Sequence, residues 1–124
     1  MKRFKRAKDI KVGVIGYSGA FGMGNVHLKD MQAAGMTPTA VCEIDAKRLK
    51  VAAEEWPGLE MYSSIGQMLR KSDVDLISVI TPHNMHAKHV IQCLDDGRSV
   101  CCEKPLAITT EECDRMIASA KKNR

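Results

Sequence analysis

An apolar run that ends in a cluster of glycines constrains this chain more than any other feature of its sequence. Residues 10–15 are apolar and β-branched, interrupted only by Lys11 and Gly13, which is typical of a strand buried in a parallel sheet. Four glycines follow within nine residues, at positions 16, 19, 22 and 24. Because glycine has no Cβ, such a turn can bend sharply and bring its backbone close to a ligand. With a helix predicted after it, the segment favours a loop that cradles the pyrophosphate of a dinucleotide.

The spacing Gly16-x-x-Gly19-x-x-Gly22 departs from the usual Gly-x-Gly-x-x-Gly, because Ser18 stands where the second glycine is expected. By itself, this pattern also fits a glycine-rich turn that binds nothing. The strand before it, and the helix predicted from Asn25 to a stop at Gly35, favour the phosphate loop.

Strand and helix patterns alternate along the whole chain. Strands are predicted at 10–15, 38–44, 61–62, 75–81 and 99–102. Helices are predicted between them and after the last one, with Asp45, Ser64 and Thr109 as N-terminal caps. This order predicts an α/β fold with a doubly wound parallel sheet, in which ligands bind at the carboxyl ends of the strands. We expect residues 10–124 to form one domain and residues 1–9 to be a basic, disordered leader.

Charge and composition narrow the classes of partner. Six of the 19 Lys and Arg residues lie within residues 1–11, so the rest of the chain is close to neutral, and only 4% of the residues are aromatic. Nucleic-acid binding is therefore not expected, and no apolar run approaches the roughly 20 residues that cross a membrane. The five cysteines show no metal-type spacing and are predicted to be reduced core residues of a cytoplasmic protein.

A single acidic residue marks the end of the second predicted strand. Glu43 lies 19 residues after Gly24, where a carboxylate can accept hydrogen bonds from both hydroxyls of the adenosine ribose of NAD. Its charge disfavours the 2′-phosphate of NADP, and Ile44 offers no cation to offset it, although Lys47 and Arg48 lie close enough to leave both cofactors open. A solvated carboxylate at a strand end is the alternative interpretation. The sequence thus favours NAD over NADP.

A polar loop follows the most apolar predicted strand. Thr81, Pro82, His83 and His86 lie in this loop, and its backbone and side chains are predicted to line the cofactor near the nicotinamide. Histidines at 83, 86 and 89 also invite a metal interpretation. No Asp, Glu or Cys nearby clearly completes a ligand set, so no metal is predicted, and His89 is expected on the surface of the following helix.

The tripeptide Glu103-Lys104-Pro105 follows the last predicted strand, again at the carboxyl edge of the sheet. A lysine beside a bound nicotinamide can hydrogen-bond a substrate hydroxyl or carbonyl oxygen and stabilise the charge that develops there during hydride transfer. Pro105 is predicted to fix the direction in which that lysine points. Spacing alone also fits an ordinary exposed lysine before a turn.

Four segments of the chain form a recognisable set. They are Gly-Val-Ile-Gly16 with His27, Val-Cys-Glu43-Ile-Asp45, Ile-Thr-Pro82 with His86, and Val-Cys-Cys-Glu-Lys104-Pro-Leu106. Together they resemble the glucose-fructose oxidoreductase, inositol dehydrogenase and MocA (Gfo/Idh/MocA) family over residues 10–124. The most specific part is Glu-Lys-Pro at this distance after Thr-Pro-x-x-x-His.

This resemblance implies the amino-terminal NAD(P)-binding Rossmann domain of an oxidoreductase that acts on sugars, cyclitols or related polyols. It matches Lys104 to the catalytic lysine of the family. The cofactor-binding residues expected are Gly16, Gly19, Ala20, Phe21, Gly22, Glu43, Thr81, Pro82, His83, His86, Glu103 and Lys104.

Members of this family normally continue into a second α/β domain, which completes the substrate site and packs the homo-oligomer. Nothing in this sequence corresponds to that domain. We therefore expect the chain alone to bind NAD but to turn over a polyol weakly, since half a cleft holds a substrate poorly. The alternative is a non-catalytic NAD(H) sensor, or one subunit of a split enzyme.

Overall fold

The computed structural model describes residues 2–17 and 22–123. Within them, strands and α-helices alternate. The strands are β1 (Lys11–Ile15), β2 (Thr37–Cys42), β3 (Glu60–Tyr62), β4 (Leu76–Val79) and β5 (Ser99–Cys102). The helices are α1 (Met23–Ala33), α2 (Ala46–Glu55), α3 (Ile65–Lys71), α4 (His86–Asp95) and α5 (Thr110–Lys122). Short 3-10 turns at Ala7–Asp9 and His83–Met85 precede β1 and α4.

The five strands form one parallel sheet in the order β3-β2-β1-β4-β5. The chain builds outward from β1 to β3 and then returns to the other side of β1, so the direction of winding reverses between β1 and β4. In sheets of this kind, the loops that leave two such strands diverge and open a crevice at their carboxyl ends. The predicted doubly wound parallel sheet is confirmed.

Helices pack against both faces of the sheet. Side chains of α1 and α2 pack on one face, in a cluster that contains Val12, Val14, Leu28, Met31, Val41 and Ala52. Side chains of α3, α4 and α5 pack on the other, in a cluster that contains Ile15, Met68, Ile77, Val79, Val90 and Met116. Coverage of both faces explains why the inner strands β1 and β4 are apolar runs rather than alternating ones.

The three predicted N-terminal caps are confirmed, whereas α1 begins at Met23, two residues before its predicted start at Asn25. Side-chain oxygens of Asp45, Ser64 and Thr109 accept N–H bonds of 2.9–3.2 Å from the first turns of α2, α3 and α5. Gly35 and Gly97 follow α1 and α4 with φ of +94° and +85°, a conformation that glycine adopts without strain and that ends a helix.

The prediction that all the cysteines lie in the core is wrong for Cys101, which is exposed. Its neighbour Cys102 packs toward α3, α4 and α5, so Cys101 points to the opposite face of the edge strand β5. There, the described helices α1 and α2 pack against other strands and leave it uncovered. Cys42 and Cys93 are buried as expected, and burial raises the pKa of each thiol to about 12.

The basic segment before β1 makes several contacts with the rest of the domain. The ammonium of Lys2 lies 2.7 Å from a carboxylate oxygen of Asp75, and the hydroxyl of Thr37 donates to the carbonyl of Lys8 at 2.7 Å. Disorder of residues 1–9 stays a prediction. None of the helices described within 2–17 and 22–123 is long and apolar enough to cross a membrane.

Candidate cofactor site

The backbone at Gly16 lies between the two strands that flank β1. Its N–H donates to the carbonyl of Cys42 at 2.8 Å, and a Cβ at this position would stand 2.9 Å from the carbonyl oxygen of Ile80. Gly16 also has a φ of +88°, which a side chain tolerates poorly. Only glycine therefore fits at the point where the winding direction reverses.

A backbone hydrogen bond joins the residue that follows Gly16 to the first turn of α1. The N–H of Gly24 donates to the carbonyl of Tyr17 at 2.9 Å, and Gly22 precedes α1 with a φ of +59°. Three predicted cofactor-binding residues, Gly19, Ala20 and Phe21, lie outside the described residues. The bond between Tyr17 and Gly24 thus places the amino end of α1, where backbone N–H groups lack helical partners, beside the carboxyl end of β1.

Glu43 is only 7% exposed. One carboxylate oxygen accepts the N–H of Tyr17 at 3.1 Å, and the other accepts the N–H of Asp45 at 2.9 Å. The acid is therefore joined directly to the glycine loop, which distinguishes it from a solvated carboxylate at a strand end. Each oxygen of an ionised carboxylate keeps a further lone pair for another donor.

The loop after β4 is joined to the segment after β5 through His86. This imidazole is 1% exposed, and its Nε2 and Nδ1 atoms each lie 2.8 Å from a carbonyl oxygen, that of Thr81 and that of Pro105. Both ring nitrogens thus face backbone groups of the domain itself. In contrast, His83 and Pro82 are exposed at the same edge.

Contrary to the expectation of a surface position, His89 is partly buried, and its Nδ1 atom lies 2.8 Å from the hydroxyl of Thr81. Burial is the main cause that lowers the pKa of this imidazole. Thr81 follows β4, and His89 lies in α4, eight residues later. Nothing in the sequence pattern indicates that these two side chains meet. Among the residues that the structure describes, no group of three His, Cys, Asp or Glu could hold a metal ion.

Replacing His86 by Ala is expected to lower the free energy of unfolding by about 2 kcal/mol, because two carbonyl oxygens would lose their polar neighbour in a buried site. The matched control is His83→Ala, since His83 is exposed in the same loop and its loss should change stability by less than about 0.5 kcal/mol. Urea unfolding followed by circular dichroism measures both. Equal effects of the two substitutions would contradict the buried bridge.

Glu103 and Lys104 occupy the carboxyl end of β5. The Glu103 carboxylate accepts the N–H of Lys104 at 3.1 Å and lies 2.8 Å from Nε2 of His27 in α1. The hydrogen bond from His27 is the main cause that lowers the pKa of the Glu103 carboxyl. The side chain of Lys104 is exposed, and no ion pair involving it occurs within residues 2–17 and 22–123.

One edge of the sheet therefore carries Gly16, Glu43, Thr81 and Glu103, the residues that end or follow four different strands. The partner of Glu103, His27, lies 76 residues away, and sequence reasoning assigned it no role. Nothing in the local pattern around His27 indicates that contact, because it depends on how α1 lies over the sheet.

A groove of about 490 Å³ lies at the opposite end of β4 and β5. Its charged groups already have partners, since Lys2 bonds Asp75 and the guanidinium of Arg98 donates to the carbonyls of Val74 and Leu69 at 2.9 and 2.8 Å. In doubly wound sheets, ligands bind at the carboxyl ends of the strands, so this groove is not the candidate cofactor site.

The family model described as an oxidoreductase family with an NAD-binding Rossmann fold matches residues 10–124. The chain belongs to the Gfo/Idh/MocA family. The predicted family and Rossmann fold are confirmed, and the prediction of NAD is confirmed for this family domain. The individual cofactor contacts stay predictions.

Similar proteins include two inositol 2-dehydrogenases. That of Klebsiella pneumoniae is 35% identical over 116 residues, which cover 92% of this chain and 34% of that protein. That of Corynebacterium glutamicum is 29% identical over 116 residues, which cover 94% of this chain and 34% of that protein. The chain thus spans about a third of the length of the curated relatives it matches.

A solved structure gives a closer view of the fold. The WlbA dehydrogenase of Chromobacterium violaceum, in complex with NADH and UDP-GlcNAcA, matches with a TM-score of 0.86 and 28% sequence identity. The match covers 99% of this chain and 35% of that one. The matched region is therefore about a third of the length of each of these dehydrogenases.

Proposed function

We propose that this domain binds NAD in the crevice between the loops after β1 and β4, and that it serves hydride transfer between NAD and a secondary alcohol of a polyol or sugar. The observation that carries this proposal is the buried Glu43 carboxylate, which accepts the N–H of Tyr17 in the glycine loop at 3.1 Å. That bond joins the carboxylate proposed to accept the ribose hydroxyls to the start of the loop proposed to hold the diphosphate.

The residues at this edge fit a dinucleotide. The bare backbone of Gly16, where a Cβ would meet the carbonyl of Ile80, and the adjacent start of α1 suit a diphosphate. Glu43 would accept the ribose hydroxyls through its remaining lone pairs. Polar groups of the loop after β4 would line the nicotinamide end of the site.

When bound, NAD supplies the acceptor for a hydride from the carbinol carbon. The role of this chain is then to orient the substrate and stabilise its oxygen. Lys104, exposed at the end of β5, would hydrogen-bond that oxygen: its neutral amine would accept the hydroxyl proton as the alcohol is oxidised, and in the reverse direction its ammonium would stabilise the negative charge on the oxygen and return the proton. Substrates of the polyol or sugar class are proposed because the similar proteins include inositol 2-dehydrogenases and a dehydrogenase in complex with UDP-GlcNAcA.

We further infer that residues 1–124, tested by themselves, bind the cofactor but oxidise polyols slowly, because the matched relatives are about three times as long and hydride transfer requires a closed, water-excluding cleft. Titration with NADH, followed by its fluorescence, tests the binding. Absence of saturable binding at about millimolar NADH would refute the cofactor site, and rapid turnover by residues 1–124 alone would refute the expected slow oxidation.

Ile44 provides a test of the preference for NAD. This side chain is 85% exposed beside Glu43, so replacing it should leave the fold unchanged. We expect Ile44→Arg to tighten NADPH binding about tenfold, because a guanidinium can pair with the 2′-phosphate. The Ile44→Gln variant is the uncharged control, and competition with NADH measures both affinities. No difference between the two variants for NADPH would mean that the ribose lies elsewhere.

A further inference from the structure

The hydrogen-bonded pair of His27 and Glu103 joins two parts of the chain that the proposed mechanism uses separately. His27 belongs to α1, the helix that follows the glycine loop, and Glu103 follows β5. Their side chains are 18% and 29% exposed, and Nε2 of the imidazole lies 2.8 Å from Oε2 of the carboxylate. Because β4 stands between β1 and β5 in the sheet, the pair bridges its carboxyl end.

The other carboxylate oxygen of Glu103 extends this connection to the backbone of Lys104. Oε1 accepts the Lys104 N–H at 3.1 Å, while the N–H of Glu103 donates to the carbonyl of Val79 at 3.0 Å. His27, the Glu103 carboxylate and the Lys104 amide thus form a continuous chain of hydrogen bonds. A hydrogen bond to an amide N–H restricts the orientation of that peptide group, and with it the direction in which the adjacent side chain leaves the backbone.

The direction of the first bond follows from the charge on Glu103. The pKa of this carboxyl is lowered, chiefly by the hydrogen bond from His27, so the group is an ionised, acceptor-only carboxylate at neutral pH. The Nε2 atom of His27 must therefore carry a hydrogen and act as the donor of this hydrogen bond.

A second imidazole holds the other side of Lys104. His86 in α4 contacts the carbonyl of Pro105 through Nδ1 at 2.8 Å. The residue before Lys104 is thus held from α1, and the residue after it from α4. His86 is buried, whereas His27 is partly exposed, so His27 can be replaced without opening the core.

We propose that His27 is a positioning residue for Lys104, acting through the Glu103 carboxylate. It fixes the backbone from which the lysine side chain extends at the carboxyl edge of the sheet. This inference rests on the proposed function, in which Lys104 meets the substrate oxygen. His27 itself touches neither cofactor nor substrate in this scheme.

The test compares His27→Ala with the conservative His27→Gln, whose side-chain amide can still donate to Glu103. In His27→Ala, the Glu103 carboxyl, followed by ¹³C NMR titration, should titrate closer to its ordinary value of 4.5. The Lys104 amide should shift and exchange with solvent on the order of tenfold faster. His27→Gln should restore both signals toward those of the unsubstituted protein.

Activity and cofactor binding provide independent readouts. In the protein expressed from its natural reading frame, His27→Ala should lower kcat about 10- to 100-fold through misplacement of the lysine. The Kd for NADH should stay unchanged, and His27→Gln should partly restore kcat.

A Lys104 amide that behaves identically in His27→Ala and in the unsubstituted protein overturns the positioning role, and so does an unshifted Glu103 titration. Failure of the unsubstituted protein to bind NADH would instead refute the proposed function, while the two NMR readouts still decide whether His27 positions Lys104.

Discussion

Gly24→Ala is expected to destabilise the domain by about 3 kcal/mol, at the upper end of overpacking effects. A Cβ on residue 24 would stand 2.5 Å from the Cα of Tyr17 and closer still to its carbonyl oxygen. These are backbone atoms of a loop held by the Gly24 N–H bond and by the bond from Tyr17 to Glu43. The methyl group would therefore push α1 away from β1, and NADH binding should weaken with it.

Gly66→Ala is the matched control, since Gly66 is also the second residue of an α-helix. A Cβ there would meet only the guanidinium of Arg70, at 3.1 Å, and this flexible group can move. Alanine should then stabilise α3 by up to about 1 kcal/mol through its helix propensity. Thermal and urea unfolding measure the two variants. If Gly24→Ala unfolds at the same temperature as the unsubstituted protein, the described close contact between Gly24 and Tyr17 is incorrect.

Lys104→Ala is expected to lower kcat for polyol oxidation by about 100- to 1000-fold, the usual effect of removing one group that stabilises a developing oxyanion. The side chain is exposed, so stability should change by less than about 0.5 kcal/mol. The Kd for NADH should change little, because the ammonium is assigned to the substrate oxygen. Steady-state kinetics in the protein from its natural reading frame, with NADH titration of the same preparation, measure the two effects.

Lys88→Ala is the control for loss of a lysine, because Lys88 is exposed in α4 and has no role in the proposed mechanism. Its kcat should match that of the unsubstituted protein. Lys104→Arg should recover only part of the activity, since a guanidinium keeps the charge but places its donors differently. Full activity of Lys104→Ala would remove this lysine from the mechanism and leave the cofactor site unaffected.

The elements of the fold could be predicted because their signals are local. Asp45, Ser64 and Thr109 cap their helices through residues two or three positions ahead, and Gly35 and Gly97 end helices with positive φ. Strands covered on both faces are recognisable as short apolar runs. Each such signal lies within one turn or one strand, so a sequence window contains the physical cause.

The candidate site was predictable only as a set of residues at strand ends. Gly16, Glu43, Thr81 and Glu103 were expected at one edge because parallel strands end on the same side of the sheet. Their actual partners were not predictable. Glu43 bonds the N–H of Tyr17, which is 26 residues away, and Glu103 bonds His27, which is 76 residues away.

The sequence by itself determined the family, the alternation of elements and the glycine positions, since these depend on residue type and local spacing. Only the tertiary structure decided that His86 faces inward to two carbonyls, that Cys101 is exposed on an edge strand, and that His27 reaches Glu103. These outcomes depend on strand order and on how each helix lies across the sheet. Both are fixed by packing of the whole core, to which every element contributes and which no single segment encodes.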